Sequence, residues 1–299
     1  MKKQKVLVVL GPTASGKSGL GVKLAKKFNG EIISADSRQV YKGLDIGSGK
    51  VTKKEMQGIP HYMLDVANPK KQFNVSNYKK MAEINIRYIV GCGKLPIVVG
   101  GTGFYIDTLT GATILPEVPP NPKLRKQLEQ KSAEALFKIL QKKDRVRAKN
   151  IDKNNKVRLV RALEIIEALG KVPVRQPATS THYEYIYIGV NPERAVLDKM
   201  IYKRLIARAP GMLKEAKKLK AGGLSFKRME ELGLEYRYLA RLLQGKITKE
   251  KFTQELYKEI KDYSKRQYTW FKRNKKIKWF SSASDSTIPK YLEELIRKQ

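Results

Sequence analysis

Eight residues near the amino terminus, Gly11-Pro12-Thr13-Ala14-Ser15-Gly16-Lys17-Ser18, match the pattern G-x-x-x-x-G-K-[ST] in full. They follow an apolar run at 6–10 (VLVVL) and open a stretch with helical spacing at 19–28. That is the strand–loop–helix setting in which the pattern carries meaning. Its glycines let successive backbone N–H groups turn toward a phosphate. The helix N-terminus adds partial positive charge, and Lys17 adds a full one. The Ser18 hydroxyl suits a Mg²⁺ ion. The loop predicts binding of a phosphate or diphosphate. It does not by itself predict a nucleoside triphosphatase, which adds an apolar strand ending in Asp to hold the metal. Here the apolar run 95–99 passes instead into Gly100-Gly101-Thr102-Gly103. Asp36 ends the apolar run 31–35 and so belongs at the same sheet edge as the loop. There it can act as a base, as an outer partner of magnesium, or as a helix N-cap.

These residues need a scaffold. The runs 6–10 (VLVVL), 31–35 (EIISA) and 95–99 (LPIVV) are short and mostly apolar and alternate with amphipathic stretches, which argues an α/β fold with a parallel sheet covered on both faces. Pro116, Pro119, Pro120 and Pro122 then mark a boundary. From 124 to 169 the pattern is helical, with Leu136, Ile139 and Leu140 on one face. A second break at 170–181 carries Pro173, Pro177 and a Ser/Thr cluster, and 183–190 (YEYIYIGV) reads as a returning strand. Helices dominate from Arg194 onward. The expected organisation is a catalytic core in two parts, 1–115 and 182–299, with a helical insertion at 116–181 between them.

Composition narrows the function. The chain has 299 residues, 62 Lys plus Arg, 28 Asp plus Glu and a net charge of +34. Such a charge costs self-repulsion and points to a polyanionic partner, unless it is a general lysine bias. Residues 116–180 carry 16 basic and seven acidic side chains, the highest net charge per residue of the three segments. The single cysteine, Cys92, excludes an internal disulfide and a Cys-rich zinc site. No apolar run approaches the roughly 20 residues of a membrane span. The apolar run after the basic start is too short for a signal peptide, so the cytoplasm is the default location and no membrane partner is expected.

Beyond the phosphate loop, an ordered series of segments is recognisable: Asp36-Ser37-Arg38-Gln39-Val40-Tyr41, Gly43-Leu44-Asp45-Ile46-Gly47, Pro60-His61, Val99-Gly100-Gly101-Thr102-Gly103, Arg161-Ala162-Leu163-Glu164 and Lys265-Arg266-Gln267-x-Thr269-Trp270. Together with GPTASGKS they resemble the tRNA dimethylallyltransferase (tRNA isopentenyltransferase) family in its bacterial form, across nearly the whole chain. The resemblance implies a P-loop NTPase-like parallel sheet flanked by helices, with the inserted helical domain contacting tRNA. It implies transfer of a dimethylallyl group from dimethylallyl diphosphate to N6 of adenosine 37, in tRNAs reading codons that begin with U. The phosphate loop then holds a diphosphate leaving group, which accounts for the missing strand-end Asp. Mg²⁺ is the implied cofactor, the tRNA anticodon stem-loop the implied partner, and a monomer the expectation.

Site residues follow from the same resemblance. Asp36 matches the general base, Thr102 a threonine near the transferred group, and Arg204 an arginine at the reaction centre. Lys17 and the loop amides of residues 11–18 would stabilise the departing diphosphate. Segments matching tRNA contacts include Asp36, Ser37, Arg38, Gln39, Thr102, Arg125, Arg158, Arg161, Tyr236, Arg237, Lys265 and Arg266. Arg158 and Arg161 share a helix face, with a salt bridge to Glu164 as the alternative role. Trp270, Phe271, Trp279 and Phe280 are expected mainly as core. Three departures stand out: Glu235 replaces a common glycine, Asn154-Asn155 a frequent Asp-Pro, and Pro210 predicts a helix break. No C-terminal Cys/His finger is present. The competing readings are a P-loop kinase of a small metabolite or nucleoside, and a non-enzymatic RNA-binding protein.

Overall fold

The computed structural model describes residues 3–173 and 182–297. In chain order the first elements are β1 (Gln4–Leu10), α1 (Lys17–Lys27), β2 (Gly30–Ala35), α2 (Lys53–Met56), β3 (His61–Tyr62), α3 (Val75–Gly91), β4 (Leu95–Gly100) and α4 (Gly103–Leu109). Then come α5 (Pro122–Glu129), α6 (Ala133–Lys143), α7 (Arg145–Lys149) and α8 (Lys156–Leu169). The rest is β5 (Tyr183–Val190), α9 (Arg194–Ala221), α10 (Phe226–Leu232), α11 (Leu234–Leu243), α12 (Lys249–Phe271), β6 (Lys278–Phe280) and α13 (Thr287–Arg297). The chain divides into two compact units, one of Met1–Gly111 with Ser180–Gln299 and one of Ala112–Thr179.

In the first unit the strands form one parallel sheet in the order β3-β2-β4-β1-β5-β6. β1 lies between β4 and β5, with Leu7 opposite both Ile97 and Ile186. Its side chains alternate between two cores. Val6, Val8 and Leu10 pack with Tyr78, Ile86, Leu205, Leu239 and Leu256. Leu7 and Val9 pack with Leu20, Leu24, Ile288 and Leu292. Both faces are thus buried under helices, which is why the strand is apolar from Val6 to Leu10 and does not alternate there. The order of strands brings the carboxyl ends of β1, β2 and β4 side by side, the edge where open parallel sheets place ligands.

The strand candidates appear where expected, lengthened by a residue or two in β1, β2 and β4. The short β3 and β6 carried too few residues to stand out in sequence. Pro210 is a correction: α9 runs unbroken through it. Proline in a helix interior costs about 3 kcal/mol. Ile201, Leu205, Met212 and Ala216 lie buried on both sides of it, and each large side chain contributes about 2 kcal/mol by burial. Packing therefore overrides the break.

The second unit is helical, α5 to α8, around its own core of Leu128, Leu136, Leu140, Leu159, Leu163 and Ile166. Pro122 opens α5, a position that lacks a helical N–H bond in any case. Asn121, Ser132, Asp144 and Asn155 each cap a helix by accepting from the backbone N–H three residues on. The Ser/Thr-rich part of the break expected at 170–181, including Pro177 and the proposed boundary at 181, lies outside the described residues.

Candidate active site

The phosphate loop connects β1 to α1, and its backbone is shaped for an anion. Gly11 has φ 154°, and a Cβ there would stand 2.3 Å from the Val190 carbonyl oxygen. Gly16, at φ 86°, turns the loop into the helix. Ala14 also lies in the left-handed region, at φ 64°, a strained setting of the kind found at binding sites. The buried Ser15 hydroxyl has no hydrogen-bond partner among the described residues. An orphaned polar atom in such a loop fits a ligand that supplies acceptor oxygens. Lys17 Nζ donates to the Pro12 carbonyl at 3.0 Å. Burial, and next the neighbouring Arg204 charge, push the Lys17 ammonium down to about 8, against the pull of Asp36. A cation held so reluctantly gains from an incoming anion.

Asp36 follows β2. Its Oδ1 accepts from the N–H groups of Arg38 (2.8 Å) and Gln39 (3.3 Å). The turn thus fixes one carboxylate oxygen and leaves Oδ2 for another partner. The Ser37 N–H donates to Thr102 Oγ1 at 3.0 Å, tying the end of β2 to the end of β4. The phenol of Tyr263, on α12, is pushed up by burial and then by the charge of Asp36. Gln39 is spent on structure: it accepts from Ser34 Oγ and donates to the Gly49 carbonyl at 3.2 Å.

Arg204 reaches in from α9. It donates to the Gly49 carbonyl at 3.2 Å and lies 3.5 Å from Thr13 Oγ1. With Thr13, Ala14 and Arg208 it lines a small cavity against the phosphate loop. Arg208 and Glu215, which the motifs did not single out, hold the loop opposite. Glu215 accepts from the N–H groups of Asp45 (2.9 Å), Ile46 (2.6 Å) and Gly47 (3.0 Å). Arg208 donates to the Ile46 and Gly47 carbonyls. Gln267, in the segment 265–270, accepts from the Thr13 N–H at 2.8 Å and donates to the Gly101 carbonyl at 2.9 Å, joining the phosphate loop to the glycine-rich turn after β4. That turn must be glycine: a Cβ on Gly101 would lie 2.3 Å from Gln267 Nε2, and one on Gly103 2.2 Å from Trp270.

The structure therefore gathers Lys17, Asp36, Ser37, Arg38, Gln39, Thr102 and Arg204 at one sheet edge. It places other expected RNA contacts differently. Tyr236 is fully buried, with its hydroxyl donating to Glu215 at 2.8 Å, so its side chain offers no surface to a nucleic acid. In the helical unit, Arg125 and Arg161 both grip the buried Glu164; Arg125 is bidentate at 2.8 Å, and Arg161 also donates to the Val118 carbonyl. Glu164 is desolvated, which alone would raise its carboxyl, yet Arg125, the Asn121 N–H and Arg161 hold it down to about 2. Each arginine side chain remains about a third exposed, 36% and 35%. Arg158 is exposed, as is Lys265. Arg237 and Arg266 lean on Glu230 and Glu259. Phe271 and Phe280 are core. Trp270 is half-buried, donates to Asp107 and carries Arg273 over its ring at 3.9 Å.

Among the described residues no three His, Cys, Asp or Glu side chains cluster as metal ligands. The donor set at the loop is the exposed Ser18 hydroxyl. It fits a Mg²⁺ ion that keeps most of its ligands as water and diphosphate oxygens.

Sheet, loop and flanking helices define a protein of the P-loop NTPase-like fold. The sequence profile of the IPP transferase family matches residues 39–274. A tRNA dimethylallyltransferase of Carboxydothermus hydrogenoformans is 38% identical, over 98% of this chain and 96% of its own. One from Geotalea daltonii is 40% identical, over 94% and 92%. The crystal structure of the full-length tRNA isopentenylpyrophosphate transferase of Bacillus halodurans superposes with a TM-score of 0.72 at 34% identity, covering 99% of this chain and 95% of the other. The chain belongs to the IPP transferase family.

Proposed function

We propose that the protein transfers a dimethylallyl group from dimethylallyl diphosphate to N6 of adenosine 37 of tRNA, releasing diphosphate. The observation that carries this reading is the convergence of the phosphate loop with Asp36, Thr102 and Arg204 at one sheet edge. An adenine N6 is a poor nucleophile because its lone pair is delocalised into the ring. Removal of its proton by Asp36 Oδ2 as the C–N bond forms offsets that deficit. The allylic C–O bond breaks with negative charge gathering on the leaving diphosphate. The loop amides, Lys17 and Arg204 are aimed at that charge. Mg²⁺, held through Ser18, would supply further charge neutralisation there. Thr102, held by the Ser37 N–H, would help set the distance between base and donor. The target base must leave the anticodon stack to reach this edge. Ser37 and Arg38, beside Asp36, would meet it, and the exposed Arg158 and Lys265 would each meet tRNA phosphates.

The test is incubation with carbon-labelled dimethylallyl diphosphate, Mg²⁺ and a tRNA carrying A36 and A37. We expect label in the tRNA. Absence of label from the tRNA, alongside phosphorylation of a small metabolite when ATP is supplied instead, overturns the reading in favour of a metabolite kinase. Tight tRNA binding with no transfer to any acceptor favours a binding protein.

A further inference from the structure

The cavity that joins Thr13 and Ala14 of the phosphate loop to Arg204 and Arg208 has one more polar wall, Glu235. A carboxylate in an anion site is out of place by charge alone, and the backbone takes trouble to put it there. Gly233 and Leu234 both have positive φ, 75° and 37°. Leu234 is not glycine, so this is local strain of the kind that accumulates at functional sites. The strained pair turns the chain into α11 and delivers Glu235 in its first turn. Glu235 is not there to engage the arginines by hydrogen bonding. Arg204 and Arg208 direct theirs to Thr13 and to the carbonyls of Ile46, Gly47 and Gly49. Arg204 and Arg208 of α9 line the same cavity, and the charged and titratable groups that interact electrostatically with its carboxyl are those two arginines, Asp36 after β2, Tyr236 of its own helix and Tyr263 of α12. Burial pushes the carboxyl up, against the pull of Arg208 and Arg204.

Breaking the allylic C–O bond leaves both bonding electrons on the diphosphate oxygen, so the product carries one more negative charge than the ester that entered. A fixed carboxylate beside the site opposes the product more than the substrate. We propose that Glu235 is a specificity-determining residue of this site: it selectively loosens inorganic diphosphate and so favours product release. The inference rests on the proposed transfer reaction.

Calorimetric titration of wild type and E235Q with inorganic diphosphate, and separately with dimethylallyl diphosphate, reads this directly with Mg²⁺ present and no tRNA. E235Q should bind inorganic diphosphate about fivefold more tightly, with a clearly smaller gain for the ester. The ratio of variant to wild-type affinity for diphosphate should be larger at pH 7.5 than at pH 5.5, because the repulsion exists only when Glu235 is ionised. E235A gives the same readout if the amide fails to fold. Equal gains for both ligands, no change, or weaker binding of both overturns the inference, the last by making Glu235 a brace. Failure of wild type to bind either ligand overturns the transfer reading as well, which separates the two failures.

Discussion

In the proposed reaction Lys17 serves the leaving group and Asp36 the nucleophile, and each role has its own signature. The Lys17 ammonium titrates at about 8, and a diphosphate binds its protonated form. Donor affinity in the absence of tRNA should therefore hold below pH 8 and fall above it, approaching tenfold per pH unit. A flat profile from pH 7 to 9.5, measured by calorimetry, would contradict that assignment. Asp36→Asn keeps the side-chain oxygen that accepts from Arg38 and Gln39 while removing the base. Turnover should drop by about 10²–10⁴ with tRNA affinity almost unchanged. Comparable losses in both would make Asp36 a turn-former and nothing more. Glu164 titrates in the opposite sense. Its carboxyl is held down to about 2 from an ordinary 4.5, so its stabilising contribution is complete above about pH 4.5. That contribution disappears as pH falls from there toward 2. Glu164→Gln should flatten that part of the acid-unfolding curve, as followed by circular dichroism.

At the level of elements, α12 matters because Gln267 bridges two loops that lie far apart in sequence. Gln267→Ala leaves the Thr13 N–H and the Gly101 carbonyl without their partner, a loss of about 1–3 kcal/mol in a buried setting. Thermal melting should register the loss, and donor KM should rise, since the bridge shapes the phosphate loop. An unchanged donor KM would show that the loop holds its form without α12. This bridge also marks where sequence reading stops. The phosphate loop, Asp36 and the apolar strands were legible because each signal is contiguous: a motif, a strand end, a run of buried side chains. Gln267 to Thr13 spans 254 positions and Arg125 to Glu164 spans 39, so no local pattern reports either contact. Tyr236 was misplaced for the same reason: a tyrosine beside an arginine looks like an RNA contact until Glu215 is found against its hydroxyl. Pro210 misled in the other direction, since a local rule against helix interiors yielded to packing on both sides.

Across the whole molecule the +34 charge remains far more than the site consumes. In the proposed reaction Lys17 and Arg204 serve the small anion, Arg208 is committed to the Ile46 and Gly47 carbonyls, and several other arginines are committed to Glu164, Glu230 and Glu259. What is left is an excess of basic charge suited to a phosphate backbone. If it engages about six phosphates, log affinity for tRNA should fall with log salt at a slope of about −5. A slope near zero would leave the excess as general lysine bias. In the proposed function that charge supplies affinity, and the sheet edge supplies the chemistry. The central claim is that both act on one adenosine. Nucleoside analysis of tRNA after incubation with labelled dimethylallyl diphosphate tests it most directly, using wild type and Asp36→Asn side by side. The account predicts label on N6 of A37 alone, and almost none with the variant at equal tRNA occupancy. Label on another nucleoside, or transfer by Asp36→Asn at the wild-type rate, would contradict it.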